Sequence, residues 1–172
     1  GNDAERDLEE GAIEEDEQEM ISGVLHLERA TARDIMVPRI DIVAVSKDVP
    51  VSEAVDVAIQ AGHSRIPVYG RSIDEIIGVV YAKDMLRFVN EDHEGVVAGD
   101  LAREAYFVPE SKKVDDLLNE MQQAKVHLAV VVDEYGGTAG VVTIEDILEE
   151  IVGEIQDEYD TEQPRIEVLG PD

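Results

Sequence analysis

The segment "IIGVVYAKDML" (76–86) returns as "TAGVVTIEDIL" (138–148), 62 residues on and without a gap. At the same offset "SRIPVY" (64–69) is followed by "VHLAVV" (126–131), and at an offset of 63 "VSEAVDVAIQA" (51–61) is followed by "VDDLLNEMQQA" (114–124). A chain that repeats itself in this way builds one supersecondary unit twice. Two copies are too few for a solenoid, so the expectation is a pseudo-twofold pair. Each half alone would leave a sheet face open to water, and the halves should therefore pack on each other.

Hydrophobic spacing gives the unit. Ile42–Val45 reads as a strand and Ser52–Ala61 as a helix with Ala54, Val55, Ala58 and Ile59 on one face. Arg65–Tyr69 and Ile76–Tyr81 read as strands and Lys83–Val89 as a helix. The order then returns: strand Tyr106–Val108, helix Val114–Ala124, strands His127–Val132 and Thr138–Val142 joined by "DEYGG", and helix Ile144–Ile155. Short buried strands alternating with helices imply an α/β (α+β) layer architecture. The predicted organisation is an acidic disordered stretch at 1–13, a leading helix and linker at 14–33, one repeat at 34–93, the second at 94–156, and a linker toward a further domain at 157–172. In the leading helix Met20, Ile21, Val24 and Leu25 recur at helical spacing and predict a face docked on the domain. Ile59, Leu117 and Leu118 are expected to be apolar surface available to a second copy.

Composition removes several classes of function. Fourteen Lys and Arg against 41 Asp and Glu leave a formal charge of −27. Phosphate-backbone binding needs a basic surface, so nucleic acid is excluded as a partner, and docking on anionic lipid is disfavoured. No apolar run approaches the roughly 20 residues of a membrane span, and nothing following Gly1 reads as a signal peptide. The expected piece is soluble, without direct membrane insertion, and compatible with being part of a larger membrane protein. With no cysteine there is neither a disulfide framework nor a thiolate metal site. No nucleophile elbow, Walker loop or H-E-x-x-H motif is present, so no enzyme is expected.

The strand-to-helix junctions carry the chemistry. Thr143 and Asp146 stand three apart where "GVV" gives way to a helix, the spacing of a capping box. A helix N-terminus also offers N–H groups and a positive dipole to an anion. At the first junction Tyr81 replaces the threonine while Asp84 keeps the acid, and a tyrosine cannot cap as a threonine does. The acidic run after Thr143 reads as an amphipathic helix, with Ile147, Leu148, Ile151 and Ile155 packing, rather than as a metal site.

The pattern "(I/A)-G-V-V-x-x-x-D", preceded by "R-I-P-V" or "H-L-A-V", resembles the tandem CBS domain, or Bateman module. "EMISGVLHLERATARDIMVPR" (19–39), "GHSRIPVY" (62–69) and "VHLAVVVDEYGGTAGVVTIEDILEEIVGEIQDE" (126–158) are similar to the CBS pair of the CorC/HlyC-type (CNNM-like) magnesium and cobalt efflux transporters, some of them called hemolysins. The resemblance covers about residues 19–158.

The resemblance implies a regulatory CBS pair that binds an adenine nucleotide, ATP or AMP, with Mg²⁺ carried by the nucleotide. It also implies an attached membrane transporter domain, a position on the cytoplasmic side of the membrane, and a homodimer of CBS pairs. By that likeness Thr143 lies near phosphate and Asp146 on the ribose. His63, Ser64 and Arg65 face them, Arg65 toward phosphate, while Ile66 and Pro67 wall the base and Val37 completes the purine pocket. The family often carries an aromatic at the position of His63 and a threonine at that of Val37. A weaker second pocket is expected from Tyr81, Asp84 and His127. The alternatives are a ligand-free dimerisation module and a sensor of another adenosyl ligand, S-adenosylmethionine.

Overall fold

The structure is a computed structural model that describes residues 15, 17–22, 25, 29–89 and 94–152. The acidic stretch 1–13, the tail 157–172 and Val24 lie outside the described residues.

Among the described residues, a leading helical stretch at 17–22 is followed by seven strands and six helices. They are α1 (Ala32–Ile35), β1 (Val37–Pro38), a 3-10 turn (Arg39–Asp41), β2 (Val45–Ser46), α2 (Val51–Ala61), β3 (Arg65–Tyr69), β4 (Ile76–Tyr81) and α3 (Ala82–Val89). Then come α4 (Ala98–Leu101), β5 (Tyr106–Pro109), α5 (Val114–Ala124), β6 (Leu128–Val132) and β7 (Thr138–Thr143). A last helix, α6, is described over 144–152. The α/β class read from the repeat is the observed one. The strand expected at Ile42–Val45 is shorter and later, at Val45–Ser46, because Ile42 and Val43 turn toward the cleft described below instead of pairing.

The strands form two sheets, one in the order β1-β7-β6-β5 and the other β2-β3-β4. Strands β3 and β4 are antiparallel, as are β6 and β7, while β2 and β5 join in parallel. Alternation of side chains explains why these strands read as nearly continuous apolar runs: both faces are covered. In β6, Ala129 and Val131 join Leu117, Met121, Val142 and Ile147 in one core beneath the helices. The residues between them, Leu128 and Val130, join Ile76, Val79 and Val141 in a separate cluster shared by the two halves. Ile66, Val68, Val80 and Met85 build the matching core of the first half. Leu117 is fully buried in its core, so it is not the exposed surface expected of it; Ile59 is 71% exposed and keeps that description. Met20, Ile21 and Leu25 of the leading segment are exposed, not docked.

The halves exchange their leading segments. Residues 30–33 hydrogen-bond to the second half: Ala32 N–H donates to the Lys112 carbonyl at 2.8 Å and Val114 N–H to the Ala30 carbonyl at 3.0 Å. Residues 96–99 do the same to the first half, through Ala98 N–H to the Val49 carbonyl at 2.8 Å and Val51 N–H to the Val96 carbonyl at 3.2 Å. Ala30 and Ala32 accordingly sit in the second core and Ala98 in the first.

The structure also corrects the register of the repeat. Arg65 faces Tyr81 across β3–β4, and Leu128 faces Thr143 across β6–β7. Tyr81 and Thr143 are mates, so the mate of Arg65 is Leu128, not His127. Two further pairs agree. Ala82 N–H donates to the Ser64 carbonyl at 2.8 Å and Ile144 N–H to that of His127 at 3.1 Å. Helix α2 ends on Gly62 with φ 70° and α5 on Lys125 with φ 57°, both in the left-handed region that stops a helix. The offset is thus 63 through β6 and 62 from β7, with the lost residue in the hairpin "DEYGG".

Candidate functional site

A cleft of about 280 Å³ opens between the halves, near the lower end of the size range of small-molecule sites. One wall comes from the turn after α2 and the start of β3: His63, Ser64, Arg65 and Pro67. The opposite wall is the β7–α6 junction, Thr143, Glu145 and Asp146, and Val37 of β1 lies alongside. Seven of the eight residues expected here are therefore brought together. Ile66 is the exception. Strand alternation turns it away from Arg65 and Pro67, and it is fully buried in the core of the first half.

Local sequence explains each placement. The left-handed Gly62 ends α2 and swings His63 and Ser64, both exposed, to the cleft rim. Gly140 lets β1 lie close against β7, because a Cβ there would meet Val37 and Met36. At the junction the capping box is formed: Thr143 Oγ1 accepts from Asp146 N–H at 3.0 Å, and Asp146 Oδ2 accepts from Thr143 N–H at 3.3 Å. Two N–H groups of the helix end are consequently satisfied within the chain, that of Ile144 by His127 and that of Asp146 by Thr143. The box still leaves binding capacity. Thr143 uses a lone pair and keeps its hydroxyl hydrogen, and Asp146 keeps its second carboxylate oxygen.

Arg65 is the cation of this cleft. Its Nη1 contacts Glu145 Oε1 at 3.1 Å across the opening, while its Nε is buried without a hydrogen-bond partner. A buried donor left unpaired costs roughly 1–3 kcal/mol. Around it stand three carboxylates, Asp41, Glu145 and Asp146. Among the described residues no group of three or more His, Asp or Glu is placed to hold a metal ion.

The second junction is built differently. Arg103 lays its guanidinium 4.3 Å from the Tyr81 ring centre and grips Asp84 with two hydrogen bonds, Nε to Oδ2 at 2.7 Å and Nη2 to Oδ1 at 2.9 Å. Those bonds hold the Asp84 carboxyl below its ordinary value of 3.8. Arg65 and Lys83 also lie 5.5 and 5.9 Å from the ring centre. Tyr81 and Asp84 are thus together as expected. His127 is exposed at the start of β6, at the position that corresponds to Ser64. Sequence reading missed Asp41, Ile42, Leu128, Val141 and Glu145 in the first cleft and Arg103 in the second.

Comparison with known proteins fits this geometry. The CBS domain profile matches residues 32–91 and 98–153. The magnesium and cobalt efflux protein CorC of Escherichia coli K12 is 45% identical over 150 residues, which are 87% of this chain and 51% of CorC. The chain therefore spans about half the length of that relative. Among solved structures, the CBS domain of the bacterial CNNM/CorC family Mg²⁺ transporter in complex with ATP superposes with a TM-score of 0.76 at 45% identity, over 80% of this chain and 98% of that one. A CBS-domain pair with bound AMP from Klebsiella pneumoniae gives a TM-score of 0.63 at 37% identity, over 73% and 100%. The fold and the repeated junction define a tandem CBS module. This chain belongs to the CBS-domain family, as a pair of the CNNM/CorC type.

Proposed function

We propose that the chain is a non-catalytic regulatory module that binds an adenine nucleotide in the cleft between Arg65 and Thr143–Asp146 and thereby controls an attached divalent-cation transporter. The observation that carries this reading is the cleft that brings Arg65 together with Thr143 and Asp146, a helix end with a free hydroxyl hydrogen and a free carboxylate oxygen. Arg65 and the Thr143 hydroxyl would take phosphate oxygens. The free oxygen of Asp146 would accept from the ribose hydroxyls, Pro67 and Val37 would flank the base, and His63 would stack on it. Similar proteins bind ATP and AMP, which supports the ligand class. Three carboxylates beside one guanidinium repel a bare triphosphate, so the nucleotide would carry Mg²⁺. The same proposal includes an attached transporter domain, a dimer of modules and a cytoplasmic position, each supported by the likeness to CorC.

A second reading has its own support. The capping box and the Arg65–Glu145 pair satisfy most of the cleft without any ligand, as a purely structural dimerisation module would require. A thermal-shift panel of AMP, ADP, ATP and S-adenosylmethionine, each with and without Mg²⁺, separates the readings. A ligand at about 100 Kd stabilises by about 2.7 kcal/mol. Stabilisation by ATP or AMP supports the nucleotide reading. No shift at millimolar ligand supports the structural one, and a shift with S-adenosylmethionine alone points to the other adenosyl ligand, which has no phosphate for Arg65.

A further inference from the structure

Arg103 stands where the first cleft has Val37. Val37 pairs antiparallel with Val141, and Arg103 pairs antiparallel with Val79, the mate of Val141. Gly140 makes room for Met36 and Val37, and Gly78 makes the same room for Ala102 and Arg103. The two clefts are therefore built on one plan, and the wall residue is a short apolar side chain in one and an arginine in the other.

The arginine uses what a nucleoside would use. Both oxygens of Asp84, the mate of Asp146, accept from its guanidinium. Its guanidinium lies over the ring of Tyr81. The backbone of Arg103 is clamped separately, with its N–H donating to the Val79 carbonyl at 2.8 Å and its carbonyl accepting from Val79 N–H at 2.9 Å. Only the side chain reaches Asp84 and Tyr81, so shortening it leaves the strand pairing in place.

We propose that Arg103 is a built-in occupant of the second cleft, a guanidinium that holds the carboxylate and the aromatic face a nucleoside would take and so limits the chain to one nucleotide. The proposal rests on the nucleotide reading of the first cleft. Removing the arginine frees Asp84 for a ribose and Tyr81 for a base, with Lys83 remaining nearby as a cation for a phosphate.

Calorimetric titration with AMP tests this on the wild type, Arg103→Val, Arg103→Val/Asp84→Ala and Arg103→Val/Asp146→Ala. Circular dichroism and melting check the fold of each, and Arg103→Ala replaces the valine should that variant not fold. The expected stoichiometry rises from one AMP per chain to two in Arg103→Val. The added site should vanish with Asp84→Ala and persist with Asp146→Ala. Two AMP per chain in the wild type, one in both the wild type and a folded Arg103→Val, or an added site indifferent to Asp84→Ala would overturn the proposal. No AMP on the wild type but one on Arg103→Val would refute the first-cleft reading and leave the plug standing. No binding to either protein would refute both.

Discussion

Asp146→Ala removes the carboxylate proposed to hold the ribose, and the structure separates its cost to binding from its cost to folding. The half of the capping box it deletes is the long one, Thr143 N–H to Asp146 Oδ2 at 3.3 Å. The other half runs from the backbone of residue 146 to Thr143 Oγ1 at 3.0 Å and survives the substitution. Loss of one weak, partly exposed hydrogen bond costs about 0.5–1 kcal/mol, a shift of a few degrees in the melting temperature for a domain of this size. In the nucleotide complex the same change strands two ribose hydroxyls. That costs about 1–3 kcal/mol, or about 5- to 150-fold in Kd. Asp84→Ala is the control, because Asp84 lies at the other junction, bonded to Arg103, and does not line the first cleft. Calorimetry with ATP in Mg²⁺ on both variants and the wild type reads the difference. Equal losses from the two substitutions, or an unchanged Kd in Asp146→Ala, would refute the assignment of the ribose to Asp146.

Three other outcomes are expected. Ile59, Leu86, Leu148 and Val152 are exposed apolar residues on helices, and light scattering at tens of micromolar should give the mass of a homodimer; a monomer counts against the proposed assembly. ATP should bind several-fold more tightly with Mg²⁺ than in chelator, and AMP should respond less, since Asp41, Glu145 and Asp146 face a single Arg65; equal ATP affinity in both buffers would remove the electrostatic argument. Carbon-detected NMR titration should find the Asp84 carboxyl ionising below 3.8 in the wild type and closer to that value in Arg103→Val. Because the folded value is the lower one, the stabilisation from this pair is fully present above about pH 3.8 and is lost as pH falls through the folded value. It is small, the arginine being 46% exposed.

Much of the fold was legible because the strands are covered on both sides and the helices on one, so burial imprints short continuous apolar runs and period 3.6 on the sequence twice over. The cleft walls were legible for a related reason: a strand that ends in Thr-x-x-Asp declares its helix start, and Gly-His-Ser-Arg declares a helix stop. What escaped reading depends on contacts distant in sequence. Glu145 reaches Arg65 across 80 residues, and no local pattern records that. Arg103 could have been found by aligning the segments that precede the repeats, since Ala32 and Asp34 return as Ala98 and Asp100. The four-residue helices there are too short to show a period. The placement of Arg65 against His127 failed by one residue because the missing position lies in the hairpin loop, and β3 and β6 are too uniformly apolar to fix their own register.

The exchange of leading segments makes the module indivisible. Cut between residues 91 and 98, where the two family matches divide, the first piece would carry away β1, the edge partner of β7. The second would carry away residues 96–103, which cover β4 and close the first core. Each fragment would expose an unpaired strand edge and a core missing its alanines, the condition in which β proteins find edges on other chains. Proteolysis at that connection should therefore not yield two folded repeats. The intact module should melt as one cooperative unit, and any nucleotide bound in the cleft should protect both halves from denaturation to the same extent.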